Sequence, residues 1–224
     1  KILVYICAIM VILQVLVTGV GYAISNKIVG DEQRGKIIAD MQAYANELDS
    51  WIYDKDEGLN LVGRSVADYG LDRNETMKAL NDQKALDSSI MENYVCYPNE
   101  DVVFASGIPV PEGLIVTERD WYKDAVAADG KMICTDPYID ANTGSLVVTV
   151  AKIIKKGSEL FCVVGADVTI DELVAKCSEF KIYDNSYTFL VSTAGDFIVH
   201  ENADFLPTAA DGEAKYVNVA DVPQ

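Results

Sequence analysis

An uncharged apolar run at the start of the chain restricts the fold more than any other feature. Residues 2–24 contain no charged side chain, and Gln14 is their one strongly polar residue. A helix of that length spans about 35 Å, sufficient to cross the hydrocarbon core of a bilayer with some tilt. The run therefore predicts a transmembrane anchor over residues 1–25. A cleaved signal peptide is the alternative, although its apolar region is normally only about 7–15 residues long.

A long helical pattern follows this run. Between residues 26 and 70 no proline occurs, and apolar residues recur at spacings of three and four. The pattern predicts a stalk helix longer than an ordinary globular helix, either continuous or broken near residues 54–58. Its apolar stripe is expected to serve a homodimer or to pack against a sheet. The stripe consists of Ile37, Ile38, Met41, Ala45, Leu48, Trp51 and Ile52.

Short turns between the later strand-like runs determine the fold class. A hairpin is predicted over residues 94–105, and strands over 131–139, 145–154 and 160–168. Parallel strands need helical crossovers, so these short turns predict an antiparallel sheet with flanking helices, an α+β fold. Another hairpin at residues 187–200 is expected to begin a second sheet.

Four short helices are predicted around these strands. The first begins at Glu75 with Asn74 as its N-cap and ends at Leu80, and the second covers residues 84–91. Thr117 is expected to cap a third helix that ends near Gly130. The capping box Thr169-Ile170-Asp171-Glu172 is expected to open a fourth helix that runs to about Phe180.

Charge and residue usage exclude several classes of function. The formal net charge of −17 argues against nucleic acid as a partner. His200 is the one histidine, and the chain has no Gly-x-Ser-x-Gly or P-loop motif, so catalysis, a metal and a cofactor are not expected. The cysteines after Cys7 are predicted to be buried free thiols, with a Cys134–Cys162 disulfide as the alternative. They are Cys96, Cys134, Cys162 and Cys177.

An arginine, an indole and a phenol within four positions form the candidate binding element. Arg119 offers a fork of donors suited to a carboxylate, and Trp121 and Tyr122 add ring faces. Farther along the chain, Tyr138-Ile139-Asp140 and Asp167 provide acceptors and a ring face for an ammonium group. The combination predicts a site for a small zwitterion such as an amino acid.

Each of these residues also has a purely structural interpretation. Arg119 would form a surface ion pair with Glu118 or Asp120, and Asp140 would form a turn. The aromatic side chains would pack the helix onto the sheet, and Asp167 would be a polar strand end before the cap at Thr169. For any one of these residues taken singly the structural interpretation is favoured, whereas the combination of the six favours a concave binding site.

The element order and these motifs resemble the double Cache (dCache) sensor domain, over about residues 1–205. The amino-acid-binding subgroup of that family has an Arg-x-Trp-Tyr element, a Tyr-x-Asp element and a distant Asp. These are similar to Arg119-Asp120-Trp121-Tyr122, Tyr138-Ile139-Asp140 and Asp167. The family also has a tyrosine five residues before the arginine, where this chain has Leu114, and that departure leaves the class of ligand open.

The resemblance implies a domain organisation with PAS-like sheet modules. Residues 26–70 would form the stalk, 71–183 the ligand-binding membrane-distal module, and 184–224 the beginning of a membrane-proximal module. Since the chain begins at Lys1 and not at methionine, it is expected to be a piece of a longer protein.

The resemblance further implies an extracytoplasmic sensor in the cell membrane, most readily that of a methyl-accepting chemotaxis protein. The sensor of a histidine kinase or of a diguanylate cyclase is an alternative. An amine, a purine or a small organic acid is the alternative ligand, and a structural domain without a ligand is the alternative function.

Overall fold

The computed structural model describes the backbone of residues 2–210 and 213–222 and the side chains of residues 27–210 and 213–222. It divides into two compact units, Lys1–Glu47 and Leu48–Gln224. The predicted membrane anchor lies outside the residues whose side chains are described. In the described part of the chain, no helix combines the length and the apolar character that a bilayer crossing requires.

The first helix, α1 (Ile2–Tyr69), is continuous, so the alternative of a break near residues 54–58 is wrong. In the first unit, Ile37, Ile38 and Met41 are exposed and take no part in a core. In the second unit the same helix contributes the fully buried side chain of Leu59 to the largest apolar cluster. Of the predicted stripe, Ile52 is partly buried and packs against the same cluster, so the stripe is exposed at its start and partly buried at its end.

Six antiparallel strands form the central sheet, which confirms the α+β prediction. In space their order is β2-β1-β6-β5-β3, and β4 also pairs with β5. The sheet consists of β1 (Ile90–Cys96), β2 (Val102–Phe104), β3 (Ile133–Cys134), β4 (Tyr138–Ile139), β5 (Leu146–Lys156) and β6 (Glu159–Thr169). The remaining helices are α2 (Arg73–Leu86), α3 (Asp120–Ala127) and α4 (Ile170–Ser178).

Capping explains where the helix predictions were wrong. Residues 73–86 form one helix whose N-cap is Asp72 and not Asn74, because the Asp72 carboxylate accepts from the backbone N–H of Glu75 while the Glu75 carboxylate accepts from that of Asp72. The helix predicted over residues 84–91 is absent from the structure, since the chain leaves α2 at Asp87 and enters β1 at Ile90.

The segment around Thr117 also differs from its prediction. Thr117 lies in a 3₁₀ turn, and its hydroxyl donates to the Glu100 carboxylate and caps no helix. Helix α3 begins three residues later, directly after Arg119. The cap at Thr169 is confirmed, because its hydroxyl accepts from the N–H of Glu172 at the start of α4.

The strand predicted over residues 131–139 is two short strands, β3 and β4. Pro137 lies between them and has no N–H to contribute to a ladder. The hairpin predicted over residues 94–105 is confirmed by the antiparallel pairing of β1 with β2.

Alternate residues of the long strands divide the sheet into two faces. The helix face packs against α1 and α2. Its strand residues include Val150, Ile154, Cys162, Val164 and Ala166. The opposite face, called the cavity face below, is covered by α3 and by the segment before it. Its residues include Tyr94, Phe104, Thr149, Ala151, Val163, Gly165 and Asp167.

Beyond α4 the chain forms two small antiparallel sheets. One joins β7 (Leu190–Val191) to β8 (Phe197–Val199), which confirms the hairpin predicted over residues 187–200. The other joins β9 (Thr208–Ala210) to β10 (Glu213–Lys215). Val199 packs with α4 in an apolar cluster, so the first small sheet shares a core with the end of the central sheet.

The cysteines in the described side chains are free thiols. Cys96, Cys162 and Cys177 are buried as predicted, whereas Cys134 is exposed on β3. Strand β5 lies between β3 and β6, so the alternative disulfide between Cys134 and Cys162 is not formed.

Candidate functional site

A cavity of about 30 Å³ lies between the cavity face and the segment that leads into α3. Five of the six predicted site residues line it: Arg119, Trp121, Tyr138, Asp140 and Asp167. The sixth, Tyr122, does not line the cavity but packs behind Trp121, with ring centroids 5.8 Å apart. The other lining residues are Tyr94, Val102, Phe104, Leu114, Val116, Ala141 and Asn142.

Asp167 is held by hydroxyl groups from both neighbouring strands. Tyr94 on β1 donates to its Oδ1 atom at 3.1 Å, and Thr149 on β5 donates to the same oxygen at 2.6 Å. Tyr138 on β4 extends this chain, since its hydroxyl lies 2.6 Å from the Thr149 hydroxyl. The register of three strand pairs therefore fixes the direction of the Asp167 carboxylate.

Burial dominates the electrostatics of Asp167, which is 3% exposed. Burial raises the pKa of Asp167 to about 7, and the nearby carboxylates of Asp140 and Glu92 act in the same direction. The hydroxyl donors of Thr149 and Tyr94 oppose the shift and leave it incomplete. No lysine or arginine among the described residues forms an ion pair with Asp167. A cation placed in the cavity would relieve this unfavourable burial.

Arg119 is partly buried at the N-terminus of α3 and contributes the positive charge. Its guanidinium lies 5.4 Å from the centroid of the Tyr138 ring. The expected alternative, an ion pair with Glu118 or Asp120, is not formed, because Glu118 pairs with Lys123 at 2.8 Å and Asp120 makes no ion pair within the described chain. Arg119 therefore retains its five donors for another acceptor.

An aromatic group forms one wall of the cavity. The Tyr94 ring packs between Phe104 and Trp121, at centroid distances of 5.5 and 5.1 Å. Gly165 makes this packing possible, because a Cβ atom there would lie 2.5 Å from the Tyr94 ring. The ring can therefore pass close over Gly165, and its hydroxyl reaches Asp167.

Asp140 forms a turn and also lines the cavity. Its Oδ2 atom accepts from the N–H and from the hydroxyl of Thr143, at 2.8 and 2.7 Å, which closes the turn between β4 and β5. The same side chain is 7% exposed and lines the cavity, so its carboxylate adds negative charge beside Asp167.

Sequence patterns did not identify three residues that position the site. Tyr94 and Thr149 hold Asp167, but only strand register places them there. Glu100, in the turn between β1 and β2, accepts from the N–H of Val116 at 2.8 Å and from the hydroxyl of Thr117. It thereby fixes the segment that ends in Arg119. An acidic residue in a polar turn carries no local signal of that role.

A larger groove of about 1030 Å³ lies on the other side of Arg119, Trp121 and Tyr138, which line both spaces. It is also lined by Val191, Ile198 and Glu213 from the two small sheets and by Tyr216, which directly follows β10. The Tyr216 hydroxyl donates to the carbonyl of Pro137, directly before Tyr138. The cavity is thus separated from the groove by three of the predicted site residues.

The dCache_1 family model, described as a Cache domain, matches residues 24–223. The methyl-accepting chemotaxis protein McpB of Bacillus subtilis (strain 168) is 33% identical over 134 residues, which are 59% of this chain and 20% of that protein. The chain therefore spans about a fifth of the length of this relative.

Solved structures that share the fold include two ligand-binding domains of chemoreceptors. The ligand-binding domain of the Pseudomonas fluorescens chemoreceptor CtaA, in complex with L-valine, has a TM-score of 0.62 and 26% identity, covering 71% of this chain and 70% of that one. The ligand-binding domain of the amino acid chemoreceptor PctC of Pseudomonas aeruginosa PAO1, in complex with GABA, has a TM-score of 0.60 and 25% identity, covering 74% of each chain.

Proposed function

Because this chain belongs to the Cache domain family, we propose that it is the extracytoplasmic sensor of a membrane-bound chemotaxis receptor and that its cavity binds an amino acid. The similarity to McpB supports the receptor, and the similarity to CtaA and PctC supports an amino-acid ligand. The predicted anchor at residues 1–25 would hold the sensor in the membrane. The exposed stripe Ile37, Ile38 and Met41 would contribute to a homodimer.

One observation carries the ligand proposal. The cavity contains a guanidinium and a buried carboxylate that lack ionic partners among the described residues and do not pair with each other. Leaving the Asp167 carboxylate unpaired is unfavourable, because buried charges in proteins are normally paired. A zwitterion satisfies both groups at once, whereas an amine would leave Arg119 without a partner and a simple acid would leave Asp167 without one.

The roles of the residues follow from their chemistry. Arg119 would bind the ligand carboxylate through two parallel hydrogen bonds, and Asp167 and Asp140 would accept from the ammonium group. The faces of Trp121 and Tyr138 would add cation–π attraction, worth about 0.5–2 kcal/mol. Tyr122 would act through the packing of Trp121.

Ligand binding would require the cavity to expand. Its 30 Å³ is room for about two water molecules and is smaller than an amino acid. The wall of Arg119, Trp121 and Tyr138 faces the large groove, so the ligand would enter there by displacing these side chains. Binding would then shift the protein toward the expanded state, which is the differential contact that a receptor needs. Asp167, two residues before the cap of α4, would pass the change to that helix.

The test is calorimetric titration and thermal unfolding of the 224-residue chain with each of the twenty amino acids. An amino acid at 100 times its dissociation constant should stabilise the fold by about 2.7 kcal/mol. Arg119→Ala should weaken binding by a factor on the order of 10 to 150, because a hydrogen bond to a charged group contributes about 1.5–3 kcal/mol.

Lys123→Ala is the matched control. It removes a cation from the same helix, but one that is exposed and paired with Glu118 outside the cavity. Equal losses in the two variants would indicate a general effect of charge. Failure of every amino acid to bind the folded chain would contradict the proposed function.

A further inference from the structure

The geometry points to a side-chain preference: we propose that the cavity selects an α-amino acid with a compact aliphatic side chain, of the size of alanine to valine. This inference rests on the proposed amino-acid site and adds to it the class of ligand. It follows from the way in which polar and apolar residues are distributed across the sheet.

The lining changes from polar to apolar along the strand order. Asp140 and Tyr138 come from β4 and its end, and Asp167 comes from β6, whereas Val102 and Phe104 come from β2 at the opposite edge. Neighbouring strands are about 4.8 Å apart, so β2 lies roughly 10 Å from β6. A ligand whose ammonium group meets Asp167 and Asp140 therefore directs part of its body toward β2.

Only apolar side chains line the cavity on that side. Val102 and Phe104 are two residues apart on β2 and so lie on the same face. Leu114 and Val116, from the segment before α3, complete this wall. The three charged residues of the lining, Arg119, Asp140 and Asp167, are all engaged by the α-carboxylate and α-ammonium groups. A charged or amide group on the ligand side chain would find no partner in this wall.

Because the residues of this wall are buried, they limit the size of the ligand side chain. Val102, Phe104 and Val116 are 2%, 6% and 4% exposed and belong to the apolar cluster beneath α3. Phe104 is also held by the Tyr94 ring, at a centroid distance of 5.5 Å. Close-packed interiors yield little to added volume. Leu114 is the one partly exposed member of this wall, so the bulk that the site accepts depends on it.

The expected selectivity is substantial. An unpartnered buried polar group weakens binding by a factor on the order of ten to a hundred. L-valine should therefore bind at least about tenfold more tightly than L-glutamine, L-glutamate or L-lysine. L-phenylalanine should bind more weakly than L-valine because its ring exceeds the space next to Phe104.

The test is calorimetric titration of the 224-residue chain with these five amino acids and L-alanine. The variant Leu114→Gln places an amide in the wall and should reduce the preference for valine over glutamine about tenfold. Ile115→Gln is the matched control, because Ile115 is 55% exposed and does not line the cavity. It should leave the preference unchanged.

The outcomes separate this inference from the function on which it rests. If glutamine, glutamate or lysine binds as tightly as valine, and Arg119→Ala abolishes that binding, the amino-acid site stands and the aliphatic preference is wrong. If valine is preferred but Leu114→Gln and Ile115→Gln behave alike, the preference does not come from the proposed wall and the structural basis of this inference is wrong. If no amino acid binds, the proposed function and this inference both fail.

Discussion

The two faces of the central sheet come from alternate residues of the same strands, yet buried charge among the described residues is paired on one face and unpaired on the other. On the helix face, Lys152 of β5 pairs with Asp56 of α1 at 2.7 Å, and both side chains are nearly buried. On the cavity face, Asp167 is buried with only hydroxyl groups as donors. The helix face uses its charges to join α1 to the sheet, whereas the cavity face keeps an unfavourable charge that a ligand would relieve.

The largest effect is expected on the helix face. Asp56→Ala leaves the Lys152 ammonium buried without its partner, because the Lys152 and Asp56 side chains are only 13% and 11% exposed in the pair. Removing one member of a buried pair typically costs about 3–5 kcal/mol. Chemical denaturation should show a loss of that size, while the affinity for an amino acid in the fraction that remains folded should be unchanged.

The double variant Asp56→Ala/Lys152→Met separates the charge from the packing. It removes both charges and keeps an apolar chain of similar length, so it should recover most of the lost stability. If the double variant is no more stable than Asp56→Ala, the cost came from lost packing, and the contrast between the two faces would not be one of charge.

The next largest effect is a gain in stability, expected from a substitution on the cavity face. Because the pKa of Asp167 is raised to about 7 in the fold, the carboxylate is unfavourable there whenever it is charged. Asp167→Asn keeps an oxygen that can accept from Thr149 and Tyr94 but removes the charge. We expect the variant to be more stable than the parent by a few kcal/mol at pH 8 and to bind amino acids much more weakly. A variant that lost both stability and binding would contradict this account.

The dependence of stability and of ligand affinity on pH follows from the same raised pKa of Asp167. Between about pH 4 and pH 7 the folded chain keeps a proton on Asp167 that the unfolded chain has released. This contribution to stability is therefore complete below about pH 4 and is lost as the pH rises through 7, by about 1.4 kcal/mol for each pH unit in between. The affinity for an ammonium group should change in the opposite direction, falling up to about tenfold for each pH unit below 7. Melting and titration across this range would measure both trends.

A pair of glycines offers a direct comparison of the faces. Gly63 of α1 lies against Ile154 and Val164 on the helix face, and Gly165 lies beneath Tyr94 on the cavity face. An added methyl group should cost about 1–3 kcal/mol at either site. Only Gly165→Ala displaces the Tyr94 hydroxyl from Asp167, so only that variant should also weaken binding. Equal affinities in the two variants would show that Tyr94 does not position the carboxylate.

Local patterns were sufficient to predict much of the fold. Alternating apolar residues and short turns identified β1, β2, β5 and β6, because a hairpin is determined by neighbouring residues. The helix limits were less accurate, since Asp72 and Asn74 are both good caps and only the reciprocal contact with Glu75 distinguishes them. Thr117 was misplaced because its partner, Glu100, lies 17 positions away.

The candidate site was predictable only in part, for the same reason. Arg119, Trp121 and Asp140 belong to short motifs, and the structure places them on one cavity with Tyr138 and Asp167. Tyr94 and Thr149 meet Asp167 through the registers of two strand pairs, over separations of 73 and 18 residues. The apolar wall of the cavity, formed by Val102, Phe104, Leu114 and Val116, depends on the order of strands in the sheet. No local pattern specifies that order.

The smallest effect is expected where the cavity face meets the second small sheet. Tyr216→Phe removes one hydrogen bond to the Pro137 carbonyl, next to Tyr138, and should lower the unfolding free energy by about 0.5–1.5 kcal/mol. If this contact holds β4 in place, affinity should also fall by a few fold, as measured by titration. Tyr183→Phe is the control, because Tyr183 is 46% exposed and its hydroxyl makes no hydrogen bond in the described part of the chain. A loss of stability without a change in affinity would show that this contact serves the fold alone, and α4 would then be the better candidate to carry a signal from the cavity face.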